Sequence, residues 1–169
     1  TGRHVVFSSF ATNLFPNDTG NTHDVFVRDT CFGAAGGCTP STLRASVSSS
    51  GGEPDAPSGG PATQGASISA DGRFVAFGSR ATNLVANDTN GTFDIFLRDT
   101  CAGASGCTPA TIRPSVSVGG AQPTSGERSD QPVLSADGRL LFFVSTAAMF
   151  LPGDTNARLD VFLARTGTP

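Results

Sequence analysis

The chain contains no tryptophan, no tyrosine and no lysine. Each absence removes a class of function. Sugar sites generally stack their ligand on an aromatic platform, and the 13 phenylalanines fall mostly in strand-like stretches where core packing accounts for them. All 11 basic residues are arginine, spread without a cluster against a net charge of −3, so nucleic acid is not an expected partner. No apolar run approaches the roughly 18 residues of a membrane span. Only two histidines are present, which leaves little material for a nucleophile-and-base pair.

What the chain does have is length, glycine and proline. Its 169 residues are enough for one domain that buries its own core. The apolar fraction is a modest 37%, while Gly (21) and Pro (11) are plentiful, which suits short strands joined by turns.

The sequence also repeats itself. "ATNLFPNDTGNTHDVFVRDTC" (Ala11 to Cys31) returns as "ATNLVANDTNGTFDIFLRDTC" (Ala81 to Cys101), and more faintly as "AAMFLPGDTNARLDVFLARTG" (Ala147 to Gly167). Gly2-Arg3, Gly72-Arg73 and Gly138-Arg139 mark one point in three copies, and residues 2–31 align with 72–101 without a gap. The copies are approximately 1–65, 66–131 and 132–169, the last incomplete, within a single unit spanning 1–169.

Within a copy, "SADGR" is a tight turn built on the Asp-Gly hairpin dipeptide. "RFVAFGS" follows, then a polar loop, "DIFLRDT", a Cys-bracketed loop, "TIRPSVSV", a Gly/Pro/Ser linker, and "QPVLS" before the next turn. That predicts four short strands per copy in up-and-down order. "LLFFVS" in the third copy is apolar at every position but the last, and is expected to be covered on both faces by neighbouring sheets. Four-stranded sheets stacked at a regular period predict an all-β fold of β-propeller blades, about two and a half four-stranded antiparallel blades here. A β-sandwich gives no reason for so regular a repeat.

"SADGRFVAFGSRATNLVANDTNGTFDIFLRD" resembles the WD40-like (PD40, TolB-type) propeller repeats of bacterial extracytoplasmic proteins. Those repeats carry a Ser-x-Asp-Gly-(Lys/Arg) turn and an (Asp/Glu)-Ile-(Tyr/Phe)-Val third strand. The resemblance covers essentially the whole chain and is specific to the repeat class, not to an activity. The departures are the long linkers, the Cys-bracketed loops and the missing Tyr and Trp. The sequence opens inside the first turn and closes after the third strand of copy 3, so a leader upstream is compatible with it. Two and a half blades cannot close a ring, so the segment is expected to belong to a longer chain, or to be completed by a protein partner or by further copies as a homo-oligomer.

Cys31 and Cys38 flank "FGAAGG", and Cys101 and Cys107 flank "AGASG". Four cysteines allow three pairings, and pairing within each copy is favoured because both members sit at the mouths of one hairpin loop. The spacing is too wide for the usual zinc knuckle, and neither histidine lies in these loops. Disulfides place the chain in an extracytoplasmic compartment: periplasm, cell surface or outside the cell.

The polar loops offer one sharp reading. Asp88, Asn90, Thr92 and Asp94 set oxygen donors on alternate residues, as calcium needs. Copy 1 offers Asp18, Thr22 and Asp24, and copy 3 offers Asp154, Asn156 and Asp160. The EF-hand pattern is not met, and Asx-turns account for the same residues without a metal. Calcium is the one cofactor the pattern would take. The sequons at Asn17, Asn87 and Asn90 and the pair Asn13/Asn83 fit exposed loops. Arg28-Asp29 and Arg98-Asp99, at the end of the third strand, are read as ion pairs or as hairpin-end hydrogen bonding.

Catalysis finds no support. His4 aligns with Phe74 and Leu140, and His23 with Phe93 and Leu159, so both occupy positions that are apolar elsewhere. There is no Gly-x-Ser-x-Gly elbow and no phosphate-binding glycine loop. The expectation is a non-enzymatic, extracytoplasmic scaffold or protein-interaction module with specificity in the linkers 50–65 and 119–131. Its rivals are the supporting propeller of a secreted enzyme whose catalytic residues lie elsewhere, and a calcium-dependent adhesion module.

Overall fold

The computed structural model describes residues 2–16, 18–60, 65–156 and 158–167. Ten strands and one short 3-10 turn (Ala148–Phe150) make up its regular structure. They are β1 (His4–Ser9), β2 (Asp24–Asp29), β3 (Ser41–Arg44), β4 (Ala66–Ile68), β5 (Phe74–Ser79), β6 (Asp94–Asp99), β7 (Ala110–Ile112), β8 (Ser129–Leu134), β9 (Leu140–Ser145) and β10 (Asp160–Arg165). All pairing is antiparallel, in three sheets ordered β1-β2-β3, β4-β5-β6-β7 and β8-β9-β10. The protein is therefore all-β, and the second copy contributes the full four-stranded meander.

The register repeats with the sequence. His4 faces Asp29 and Ser9 faces Asp24, as Phe74 faces Asp99 and Ser79 faces Asp94. Side chains alternate across each strand, so each sheet carries two apolar faces. Val25 and Val27 of the first sheet pack against Val75, Phe77 and Phe96 of the second. Phe74, Ala76, Ile95 and Leu97, on the second sheet's other face, pack against Leu141 and Phe143 of the third. Among the described residues no core cluster joins the first sheet to the third.

Every residue of β5 is buried, since its sheet lies between two others. β9 differs from the expectation for "LLFFVS". Leu141 and Phe143 are buried, but Phe142 is exposed, because the third sheet has a neighbour on one side only. The face that remains open bears Val133, Phe142 and Leu163 in one cross-strand row, with Val161 beside them.

Turn glycines set how closely the sheets approach. Gly72 and Gly138 have φ of +79° and +71°, a region that a side chain disfavours. Their bare Cα atoms also lie under a ring of the preceding sheet: an added Cβ would stand 2.6 Å from His4 Cγ at Gly72 and 2.5 Å from Phe74 Cδ2 at Gly138. His4 thus plays the part that Phe74 plays one copy later.

Both disulfides join partners within a copy, Cys31–Cys38 and Cys101–Cys107, and no free cysteine remains. Each closes the hairpin loop between the last two strands of its sheet, β2 and β3 in the first and β6 and β7 in the second. Asp29 and Asp99 stand beside these bridges, each accepting a backbone hydrogen bond from the first cysteine, Cys31 N at 2.9 Å and Cys101 N at 2.8 Å. No helix of the described residues is long and apolar enough to cross a membrane.

Candidate functional site

The acidic residues singled out as calcium donors gather in the β1–β2, β5–β6 and β9–β10 connections of the three sheets. In the first sheet, Arg44 at the end of β3 reaches back to them. Its Nη1 lies 3.4 Å from Asp18 Oδ1, 3.7 Å from Asp24 Oδ2 and 2.6 Å from Glu53 Oε1. In the second sheet, Arg113, just beyond β7, has Nη1 at 2.7 Å from Asp88 Oδ1 and 3.3 Å from Asp94 Oδ2. Both guanidinium groups are buried, as are Asp24, Asp88 and Asp94. The oxygens do converge on a cation, and that cation belongs to the chain. A calcium ion in either loop would have to displace it.

A serine two residues after each arginine completes the arrangement. Ser46 Oγ donates to Asp24 Oδ1 at 2.6 Å and accepts from Val25 N at 3.0 Å. Ser115 Oγ donates to Asp94 Oδ1 at 2.7 Å and accepts from Ile95 N at 3.0 Å. The linkers then fold over the loops. Glu53 accepts from Thr19 N and Thr19 Oγ1, while Gln122 Oε1 accepts from Thr89 N and its Nε2 donates to Thr89 Oγ1. Asn90 Nδ2 donates to Pro123 O, while its Oδ1 accepts from Thr92 N as an Asx-turn. Asn83, outside this ring, holds the backbone of Glu53 and Asp55.

Burial raises the pKa of Asp24, Asp88 and Asp94 above the ordinary carboxylate range. Glu53 moves the other way. Hydrogen bonds from Thr19 and then Arg44 hold it at about 2. The two shifts have opposite consequences in acid. Stability from Glu53 is complete above its unfolded pKa and lost as pH falls from there toward 2, while the buried aspartates take up protons more readily folded than unfolded and favour the fold as pH falls. Gln122 shows that an amide keeps the same geometry at this position. We therefore expect Glu53→Gln to leave neutral-pH folding intact and to flatten the loss of stability below about pH 4.5. Urea midpoints of both proteins, followed down to about pH 2, check this; parallel curves would remove the assignment.

The third copy is different. Asp154 and Asp160 occupy the same register, but neither has a guanidinium partner among the described residues. Asp154 Oδ1 accepts from Asn156 N at 3.2 Å, and Asn156 Nδ2 reaches Asp160 Oδ2 at 3.4 Å. Both aspartates are only half-buried, and they line a shallow polar pocket with Leu151 and Asn156.

Of the two readings for Arg28-Asp29 and Arg98-Asp99, the structure has hydrogen bonding across the hairpins and not a pair between the sequence neighbours. Asp29 is bound by Arg3 (Nε to Oδ1 3.0 Å, Nη2 to Oδ2 2.9 Å), and Asp99 by Arg73 (2.9 and 2.7 Å). Arg28 instead donates to Thr42, and Arg98 to Thr111 and the Ser48 carbonyl. A cross-hairpin partner competes better than the adjacent residue because neighbours along a strand point to opposite faces. His4 Nε2 lies 3.7 Å from Asp29 Oδ2, and His23 stacks on Phe10 with centroids 3.5 Å apart. Neither histidine meets a hydroxyl or thiol nucleophile. Asn87 is exposed, Asn90 is tied to its linker, and the sequon at Asn17 lies outside the described residues.

Arg44, Ser46, Arg113 and Ser115 were not among the predicted site residues. The signal was available: "TLRASVSSSGGEP" and "TIRPSVSVGGAQP" keep Arg, Ser and Pro at one offset. A strand segment read for its hydrophobicity hides a polar anchor at its end. No protein-family model matches the chain, and no curated protein matches it either.

Proposed function

We propose that this protein is a non-enzymatic, extracytoplasmic interaction module built from β-propeller-type blades, and that it works within a larger assembly. One observation carries the proposal. Ile95 and Leu97 of the second sheet are 0% and 3% exposed, while Val161 and Leu163, at the same register in the third, are 71% and 56% exposed. A monomeric surface rarely leaves such a row uncovered, and in this chain the covering element is another sheet. The regular stacking of three sheets, the 66–70-residue period and the turn motif support the propeller-type reading. The two disulfides support an oxidising compartment.

The face itself provides the test. Light scattering across a concentration series should give a mass above the 17.1 kDa of one chain. Val161→Lys with Leu163→Lys should return it to that mass, since two charges cannot be buried unpaired. A protein that stays monomeric throughout, binds no apolar dye and does not respond to the lysines would remove the proposal.

A further inference from the structure

We infer that the outer edge of β10 is the seat for a strand of the sequence class Thr-(Leu/Ile)-Arg-x-Ser, supplied by a segment other than β3 and β7. The inference rests on the interaction-module reading above and narrows it to one ligand chemistry. Three separate parts of the seat are in place.

The first is the strand edge. β2 and β6 carry a fourth-strand neighbour, β3 and β7, on the side away from β1 and β5. β10 pairs with β9 at the same register and has no partner on its other side among the described residues. The Val161 amide stands where Val25 and Ile95 each donate to a serine hydroxyl.

The second is charge. Asp154 and Asp160 correspond to Asp18/Asp24 and Asp88/Asp94, and in both complete cases the fourth strand delivers an arginine between the two carboxylates. The same strand delivers, two residues on, the serine that binds the second carboxylate. In the third sheet that acidic pair is present without an arginine between its carboxylates among the described residues.

The third is the support beneath the strand. β7 does not rest on its own sheet alone. Thr111 N donates to Ser49 Oγ at 2.9 Å and Thr111 Oγ1 to Val47 O at 2.6 Å, on the turn that follows β3. The turn after β7 is built alike: Gly120 N donates to Ser117 O as Gly51 N does to Ser48 O, and Ala121 N to Ser117 Oγ as Gly52 N does to Ser48 Oγ. Among the described residues nothing hydrogen-bonds to this second turn from another sheet, and Val118 at its tip is fully exposed. A groove lined by Phe74, Leu97, Asp99, Ala110 and Ile112 of the second sheet opens beside Thr166 and Gly167, just beyond the end of β10. A strand laid along the outer edge of β10 would set its threonine over the Val116 carbonyl, its arginine between Asp154 and Asp160, and its serine on Asp160 and the Val161 amide. β3 and β7 cannot supply it, as both are engaged in their own sheets.

The test supplies such a strand at the right offset. A second copy of residues 104–118, its cysteine changed to serine, is appended after Pro169, so that it follows β10 as β7 follows β6. Hydrogen exchange should slow by about tenfold or more at Val161 and Leu163 relative to the unextended chain. Changing the appended arginine to glutamate, or Asp160→Asn in the chain, should each restore fast exchange. β10 left unprotected by the extension, or protected equally by the glutamate version and by a scrambled one, overturns the inference. The mass measurement on the unextended chain is independent of this result: a strict monomer whose β10 is protected by the extension keeps the strand seat and loses the sheet-face reading.

Discussion

Arg113→Ala should cost about 3–5 kcal/mol of folding stability, as removal of one partner from a buried ion pair does. The guanidinium is 8% exposed and bridges Asp88 and Asp94, both nearly inaccessible to water. Without it two carboxylates face each other in a desolvated loop, and Gln122 loses the 2.9 Å bond that ties the linker down. A triple change, Arg113→Met with Asp88→Asn and Asp94→Asn, removes the charges together and should recover most of the loss, because the serine and backbone contacts survive. Urea denaturation followed by circular dichroism gives both numbers. A single variant within about 1 kcal/mol of the parent, or a triple variant less stable than the single, would show that the cluster does not hold the loop.

Gly138→Ala is expected to be nearly as damaging, at roughly 2–4 kcal/mol, for two additive reasons. The backbone there has a φ of +71°, where any Cβ is disfavoured. The new methyl would also meet the ring of Phe74 at 2.5 Å, in the core between the second and third sheets. Gly2 has the same sign of φ (+76°) with open space around it, so Gly2→Ala isolates the backbone part. The difference between the two midpoints is the cost of pushing two sheets apart. Equal effects would falsify the claim that the turn glycine sets the sheet spacing.

The repeat makes much of this fold legible in the sequence. Asp-Gly turns placed the hairpins at 69–73 and 135–139, alternation and period gave the ten strands, and the Cys spacing gave both bridges. The burial of β9 departs from the expectation because a strand's composition reports which faces are apolar, not which are covered. Leu140 to Val144 read the same whether a neighbour is present or not. The rim was half legible. The converging carboxylates of Asp18, Asp24, Asp88 and Asp94 were visible as a pattern, but the positive charge that satisfies them sits some twenty residues later at a strand end. Oxygen donors on alternate residues suit a metal and a guanidinium equally well, so spacing within one loop cannot choose between them. Likewise Arg28 and Asp29 are adjacent in sequence and partners of other residues in space.

The middle sheet has two neighbours and the outer sheets have one each, and the stability of such a stack is close to a sum of couplings between adjacent units. Identical letters of the repeat therefore carry different weight. Phe96 is fully buried between Phe77 and the first sheet, whereas Phe162, its counterpart one copy on, is only half-buried against Phe143 and Phe150. Over evolutionary time drift is tolerated least where the couplings are doubled. The second copy is thus the one whose sequence should serve as the template for reading the other two, and the third departs from it most, with Gly167 in place of Cys101 and Met149 in place of Asn83.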